Sequence, residues 1–107
     1  MRIHITGRHV SVTDEIREHV ENKAGKLLRF YDRIHEIEVI FDHESEQFKV
    51  DMIVRTDHKH TFISQEAGPD PAALIDLVVE KAGRQLVKHK EKQRNHKHDG
   101  KSDLGQG

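Results

Sequence analysis

The sequence predicts an α+β domain of order β-α-β-β-β-α, a four-stranded sheet with both helices packed on one face. Three observations predict it. Short runs of alternating apolar and polar residues occur at four places. Apolar residues recur at helical spacing at two others, and those two segments bracket the last three strands.

Ile3 and Ile5 alternate with Arg2, His4 and Thr6, which is a half-buried strand ended by Gly7. Thr13 then suits an N-cap, with Asp14 and Glu15 in the first turn where the helix dipole favours acids. Ile16, Val20, Ala24, Leu27 and Tyr31 follow at helical spacing and place a helix over residues 13–30. Ile37, Val39 and Phe41 share one face of the next strand; Phe48, Val50, Met52 and Val54 share one face of its partner. The polar connector 42–47 is short enough for a hairpin. A second polar turn at 57–59 leads into a strand over 61–65 with Phe62 inward, and Ala67-Gly68 breaks the pattern. Asp70 is a fitting N-cap for a last helix whose first position is Pro71. Its apolar stripe is Ile75, Val78, Val79, Ala82 and Leu86, with His89 in line to continue the buried side. The helix-prone sequence runs on past that stripe with little apolar to pack and should project into solvent. Residues 1–98 then form one domain, and 99–107 read as a flexible tail.

The chain has 107 residues, 34% apolar and 35% charged, which fits one domain with a small core and a heavily solvated surface. It has no cysteine, hence no disulfide framework and no thiolate metal site. No apolar run approaches the roughly 20 residues of a membrane span. The opening residues alternate like a strand and lack a signal peptide's apolar stretch, so a cytoplasmic protein is expected, with no membrane partner.

The formal net charge of −1 conceals two opposed regions. Residues 81–98 carry seven Lys/Arg against one acid, a net of +6, whereas residues 1–80 carry ten bases against sixteen acids, a net of −6. At about 100° per residue, Lys81, Arg84, Lys88 and Lys92 fall on one stripe flanking the apolar one, and Lys90, Arg94 and Lys97 take the other flank. On the first helix Lys23, Lys26 and Arg29, with Arg33 just beyond, likewise avoid the apolar face. Helices lying side by side would merge these sets into one basic surface. A basic helix end is often only a solvated face, and its cations also suit the C-terminal dipole. So concentrated an excess, on a helix that outruns its core, points instead to a polyanion.

No G-x-x-x-x-G-K-[ST], G-x-G-x-x-G or G-x-S-x-G motif occurs. His58-x-His60 and His96-x-His98 lack a third ligand at suitable spacing, so no metal site is expected. Neither an enzyme, nor a cofactor, nor a small-molecule substrate is indicated.

Ile5-Thr6-Gly7-Arg8-His9-Val10-Ser11-Val12-Thr13, followed by Ile16-Arg17 and Val20, resembles the opening of bacterial ribosome hibernation promoting factors and of ribosome-associated inhibitor A. The closing run is more similar still: Gly68-Pro69-Asp70, Ala73, Ile75-Asp76, Lys81, Arg84-Gln85-Leu86 and Lys88-His89-Lys90-Glu91-Lys92. The resemblance covers residues 1 to about 95 and implies a protein in the mRNA and tRNA channel of the small ribosomal subunit, blocking initiation during stationary phase or stress. Carried over by position, the rRNA-contacting residues would be Lys23, Lys26, Lys81, Arg84, Lys88, Lys90 and Lys92, with Arg8, Arg29 and Arg94 beside them. The chain resembles the family's short forms, which can act with a second small hibernation factor. Ala72, Leu74 and Gly83 depart from the family's pattern. Two other readings compete. One is a regulatory RNA-binding module like the double-stranded RNA-binding domain, whose strand and helix order is similar; its lysines sit at the start of the last helix, where this chain has Asp70 and Asp76. The other is a transcription-side modulator, since relatives have been named sigma-54 modulation proteins.

Overall fold

A computed structural model describes residues 2–98, with side chains through Lys92. The order is β1 (Arg2–Arg8), α1 (Asp14–Phe30), β2 (Ile34–Glu44), β3 (Gln47–Thr56), a single 3-10 turn (Asp57–Lys59), β4 (Thr61–Gly68) and α2 (Pro71–His98). The expected tail, 99–107, lies outside the described residues.

The strands form one sheet in sequential order, with β1 parallel to β2 and the other pairs antiparallel. Joining parallel neighbours requires a crossover, and α1 supplies it. Ile37, Val39 and Phe41 of β2 and Val50, Met52 and Val54 of β3 turn to the helical side, where each is at most 2% exposed. Val20, Ala24, Leu27 and Tyr31 close over them from α1, and Leu74, Ile75, Val78, Ala82 and Leu86 from α2. The other face of the sheet is bare. There Ile53 faces Ile63 across β3 and β4, and Arg55 reaches Glu38 at 3.2 Å.

Both helix starts follow the expected chemistry. Thr13 Oγ1 accepts from Ile16 N at 3.2 Å, and Asp70 Oδ1 accepts from Ala72 N at 3.1 Å. Gly7 has a steric reason. A Cβ there would lie 2.3 Å from the Val10 carbonyl oxygen, because the chain doubles back at once to bring Val10 and Val12 under the core.

Three expectations need correction. The β2–β3 connector is only Ser45-Glu46, since pairing runs out to Glu44 opposite Gln47; Ser45 takes φ 58°, the left-handed geometry that suits a two-residue hairpin. β4 continues to Gly68 rather than stopping at residue 65, because β3 offers partners as far as Phe48. Leu74 joins the α2 core and Val79 is only half-buried. Leu74 Cδ2 lies 3.3 Å from where a Gly68 Cβ would be, so the glycine makes room for it. The inward stripe of α2 does run past Leu86, as the position of His89 in the sequence suggested. His89 carries it one turn further, against Tyr31, His60 and Phe62.

Candidate nucleic-acid interface

The two helices lie side by side and point the same way. His19 Nε2 and Lys23 Nζ of α1 reach Asp76 early in α2, at 2.8 and 3.6 Å. Leu27 packs beside Gly83, and the Phe30 carbonyl accepts from Lys90 Nζ at 3.3 Å. Later residues of one helix therefore meet later residues of the other. Both N-termini, with Asp14, Glu15 and Asp70, share one end with the β2–β3 hairpin and its Glu44 and Glu46. Both C-terminal ends share the opposite end with the turn Asp57–Lys59. An overall charge near zero thus becomes a polarised molecule. Lys59 lies in that turn, and Arg33, just after α1, is tied to it where its carbonyl accepts from Asp57 N at 3.1 Å.

On α2 the cations divide between two flanks. Lys81 faces the β4 edge, donating to the Gln65 carbonyl at 3.0 Å and pairing with Glu66 at 2.6 Å. Lys88 and Lys92 continue along that flank, lining a groove with Phe62, Gln85, His89 and the acidic Glu91. Arg84 is exposed and meets Glu80 at 3.4 Å. Lys90 takes the flank toward α1, its Nζ 5.2 Å from the centre of the Phe30 ring. Lys26 and Arg29 are exposed on α1. Lys26, Arg29, Lys88 and Lys92 have no ion-pair or hydrogen-bond partner among the described residues.

Two candidates stand apart from this group. Arg8 is at the far end of β1, in register with Asp42 and on the bare face of the sheet, away from both helices. A single alternating run could not reveal that, because the end of the sheet depends on how β1 pairs. Asp42 is held below its usual carboxylate pKa, chiefly by its hydrogen bond to His9 at 3.0 Å. Arg94 lies outside the residues whose side chains are described.

The basic end also contains a histidine with a physical peculiarity. The His89 ring lies 4.5 Å from that of His60, 5.2 Å from Phe62 and 6.1 Å from Tyr31, centre to centre. Burial above all, with the charges of His60 and Lys92, lowers its pKa, so the ring is neutral near pH 7. Its Nε2 is buried without a partner among the described residues, as is Gln85 Oε1 one turn earlier. Tyr31 responds to the same apolar surroundings, its phenol pushed upward mainly by burial.

No group of three or more His, Cys, Asp or Glu suited to a metal ion occurs among the described residues, and none of their helices is long and apolar enough to cross a membrane.

Comparison with known proteins accords with this architecture. Residues 3–94 match the family described as "Sigma 54 modulation protein / S30EA ribosomal protein". The chain is 38% identical over 93 residues to the ribosome hibernation promoting factor of Azotobacter vinelandii, covering 87% of this chain and 86% of that one. It is 35% identical over 96 residues to the factor of the same name from Escherichia coli (strain K12), covering 90% and 100%. Among solved structures, a ribosomal subunit interface protein from Coxiella burnetii superposes with a TM-score of 0.79 at 30% identity, covering 85% of this chain and 99% of that one. The N-terminal domain of Thermus thermophilus Protein Y gives 0.76 at 26% identity, covering 83% and 99%.

Proposed function

The chain belongs to the sigma 54 modulation protein / S30EA ribosomal protein family, and from that premise we propose that it is a ribosome hibernation factor. It binds the small ribosomal subunit in the mRNA and tRNA channel, gripping rRNA through the basic end of its helical layer and blocking initiation in stationary phase or stress. A second small hibernation factor is a further partner this reading allows, and the cytoplasm is its compartment.

The observation that carries the reading is the common direction of α1 and α2, which gathers Lys26, Arg29, Lys88, Lys90 and Lys92 toward one end. Cations there stabilise the helices only modestly through the dipole, by about 0.3–1 kcal/mol each, so stability does not account for so many. The internal pairs of Lys23, Lys81 and Arg84 involve part-exposed side chains and are worth only about 0–1 kcal/mol each. Exchanging such a partner for a phosphate costs little, whereas each phosphate neutralised releases counterions.

The test is a sucrose-gradient profile of starved cells, with and without the protein, probing fractions for the chain. It should migrate with small subunits and be displaced by mRNA. Binding to purified subunits should weaken steeply with salt, with a slope of about −0.7 to −0.9 per phosphate contacted. A flat salt response contradicts the electrostatic grip. The family's description also admits a transcription-side role, and a protein that stays in the light fractions with RNA polymerase would replace the ribosomal reading.

A further inference from the structure

The turn between β3 and β4 has features that the helical grip does not use. His58 and Lys59 take φ 63° and 62°, two successive residues in the left-handed region that side chains disfavour. Glycine or asparagine fits that geometry at less cost, so the fold alone does not call for a histidine and a lysine. The turn is clamped from both sides. Thr56 N donates to the His60 carbonyl at 2.9 Å, and Asp57 N donates to the Arg33 carbonyl at 3.1 Å. Backbone strain held in this way is characteristic of functional segments. Both side chains are exposed, and with His35, Arg55, His60 and the acidic Glu36 they line a cleft of about 470 Å³ at the end of the sheet.

The fixed charges around this cleft nearly cancel. Glu36 is engaged by Arg2 at 3.9 Å, His4 at 3.6 Å and Arg55 at 3.7 Å, and Arg55 also meets Glu38 at 3.2 Å. Asp57, the first residue of the turn, pairs with the His35 ring. Asp32 and Arg33 oppose one another at the link from α1 to β2. From α2, His89 faces His60 with ring centres 4.5 Å apart, and the charge of Lys92 also acts on His89. The sign of the cleft is therefore left to its imidazoles. An imidazole with the ordinary pKa of about 6.5 gains its charge between about pH 7.5 and about pH 6.

We propose that this cleft is a second phosphate site, in which the protonated rings of His35, His58 and His60 join Lys59 and Arg55 in holding one phosphodiester of the bound RNA. A phosphate among the rings favours their charged forms, so binding takes up protons and strengthens as pH falls. The proposal rests on the ribosomal reading above and deepens it: the helical cations supply the standing grip, and the histidine turn supplies an acid-dependent one.

The experiment measures the affinity for a short labelled RNA duplex by anisotropy at about pH 7.5 and about pH 6.2, at matched low salt. Wild type should bind at least about threefold tighter at the lower pH. The triple variant His35→Gln, His58→Asn, His60→Gln should match wild type within about twofold at the higher pH and lose the gain on acidification. Neutral amides there replace largely neutral rings, and asparagine suits the left-handed position. Wild-type affinity that does not rise with acid overturns the proposal, as does absence of duplex binding at the lower pH. A gain that survives in the triple variant overturns it too, since other histidines would then carry it. Equal loss at both pH values does the same, because the rings would then act without their protons. If the triple variant melts at lower temperature than wild type, His58→Asn alone takes its place and must reduce the gain; an undiminished gain overturns the cleft. Co-sedimentation of wild type with small subunits, run in parallel at both pH values, separates the two claims. Co-sedimentation without an acid gain on RNA removes the cleft and keeps the hibernation reading; an acid gain without co-sedimentation does the reverse.

Discussion

The two halves of α2 share one backbone and do different work. From Pro71 to Leu86 five side chains are buried, and Asp76 and Glu80 balance Lys81 and Arg84. From Val87 onward only His89 among the described side chains turns inward, and five bases face one acid. Geometry sets the division. Twenty-eight helical residues span about 42 Å, whereas the eight residues of β4 span about 27 Å, so the helix must outrun its sheet. α1 shows the alternative: its 17 residues end at Phe30, and the next residue, Tyr31, is buried as its C-cap. On the proposed reading, the difference stores stability and affinity in successive segments of one helix, where substitutions can separate them.

The strongest challenge to that division is a charge in the first half. Val78→Asp places a carboxylate at a fully buried position and should cost about 4 kcal/mol or more, most of a small domain's stability. Loss of the cooperative thermal transition is expected; an unchanged melt would mean that the first half does not carry the fold. In the second half, Lys88→Glu combined with Lys92→Glu should lower ribosome affinity by about two orders of magnitude and shift stability by no more than about 0.5 kcal/mol. Affinity like that of wild type would move the binding segment elsewhere.

His89 stands at the boundary and sharpens the comparison through pH. Its folded pKa is lowered from 6.5, so as pH falls below about 6.5 the unfolded chain takes up the proton first. The stabilisation from the neutral ring is complete above that pH and declines below it. Urea unfolding of wild type and His89→Phe at about pH 7.5 and about pH 5.5 isolates the effect. Wild type should lose more stability on acidification than the variant, and equal losses would detach His89 from the core. The smallest change expected is a gain. A Cβ at Gly83 would sit 3.7 Å from Leu27 Cδ2, an ordinary contact, so Gly83→Ala should raise stability by up to about 1 kcal/mol in the same unfolding assay. A loss would reveal a tighter seam between the helices than their side chains indicate.

Periodicity made most of the fold legible. The inward faces of β2 and β3, the caps at Thr13 and Asp70 and the α1 stripe all read directly from residue spacing. What spacing could not convey were relations between elements. Leu74 lay outside the predicted stripe because its burial depends on Gly68, six residues earlier in another element. The helical cations were visible as flanks, but their gathering at one end required the parallel course of α1 and α2. Arg8 was drawn into the set by resemblance, and strand pairing places it elsewhere. Gln85 was visible only as part of a motif; its orphaned oxygen needed the Ile63 carbonyl to appear across from it.

Lys81 and Gln85 donate to the carbonyls of Gln65 and Ile63 along the outer margin of the sheet. Such a margin, left open, is a template on which a second chain can assemble strand by strand. With two of its acceptors already engaged by the helix above, that route to polymerisation is blunted. A strand adding along β4 would first have to displace both side chains.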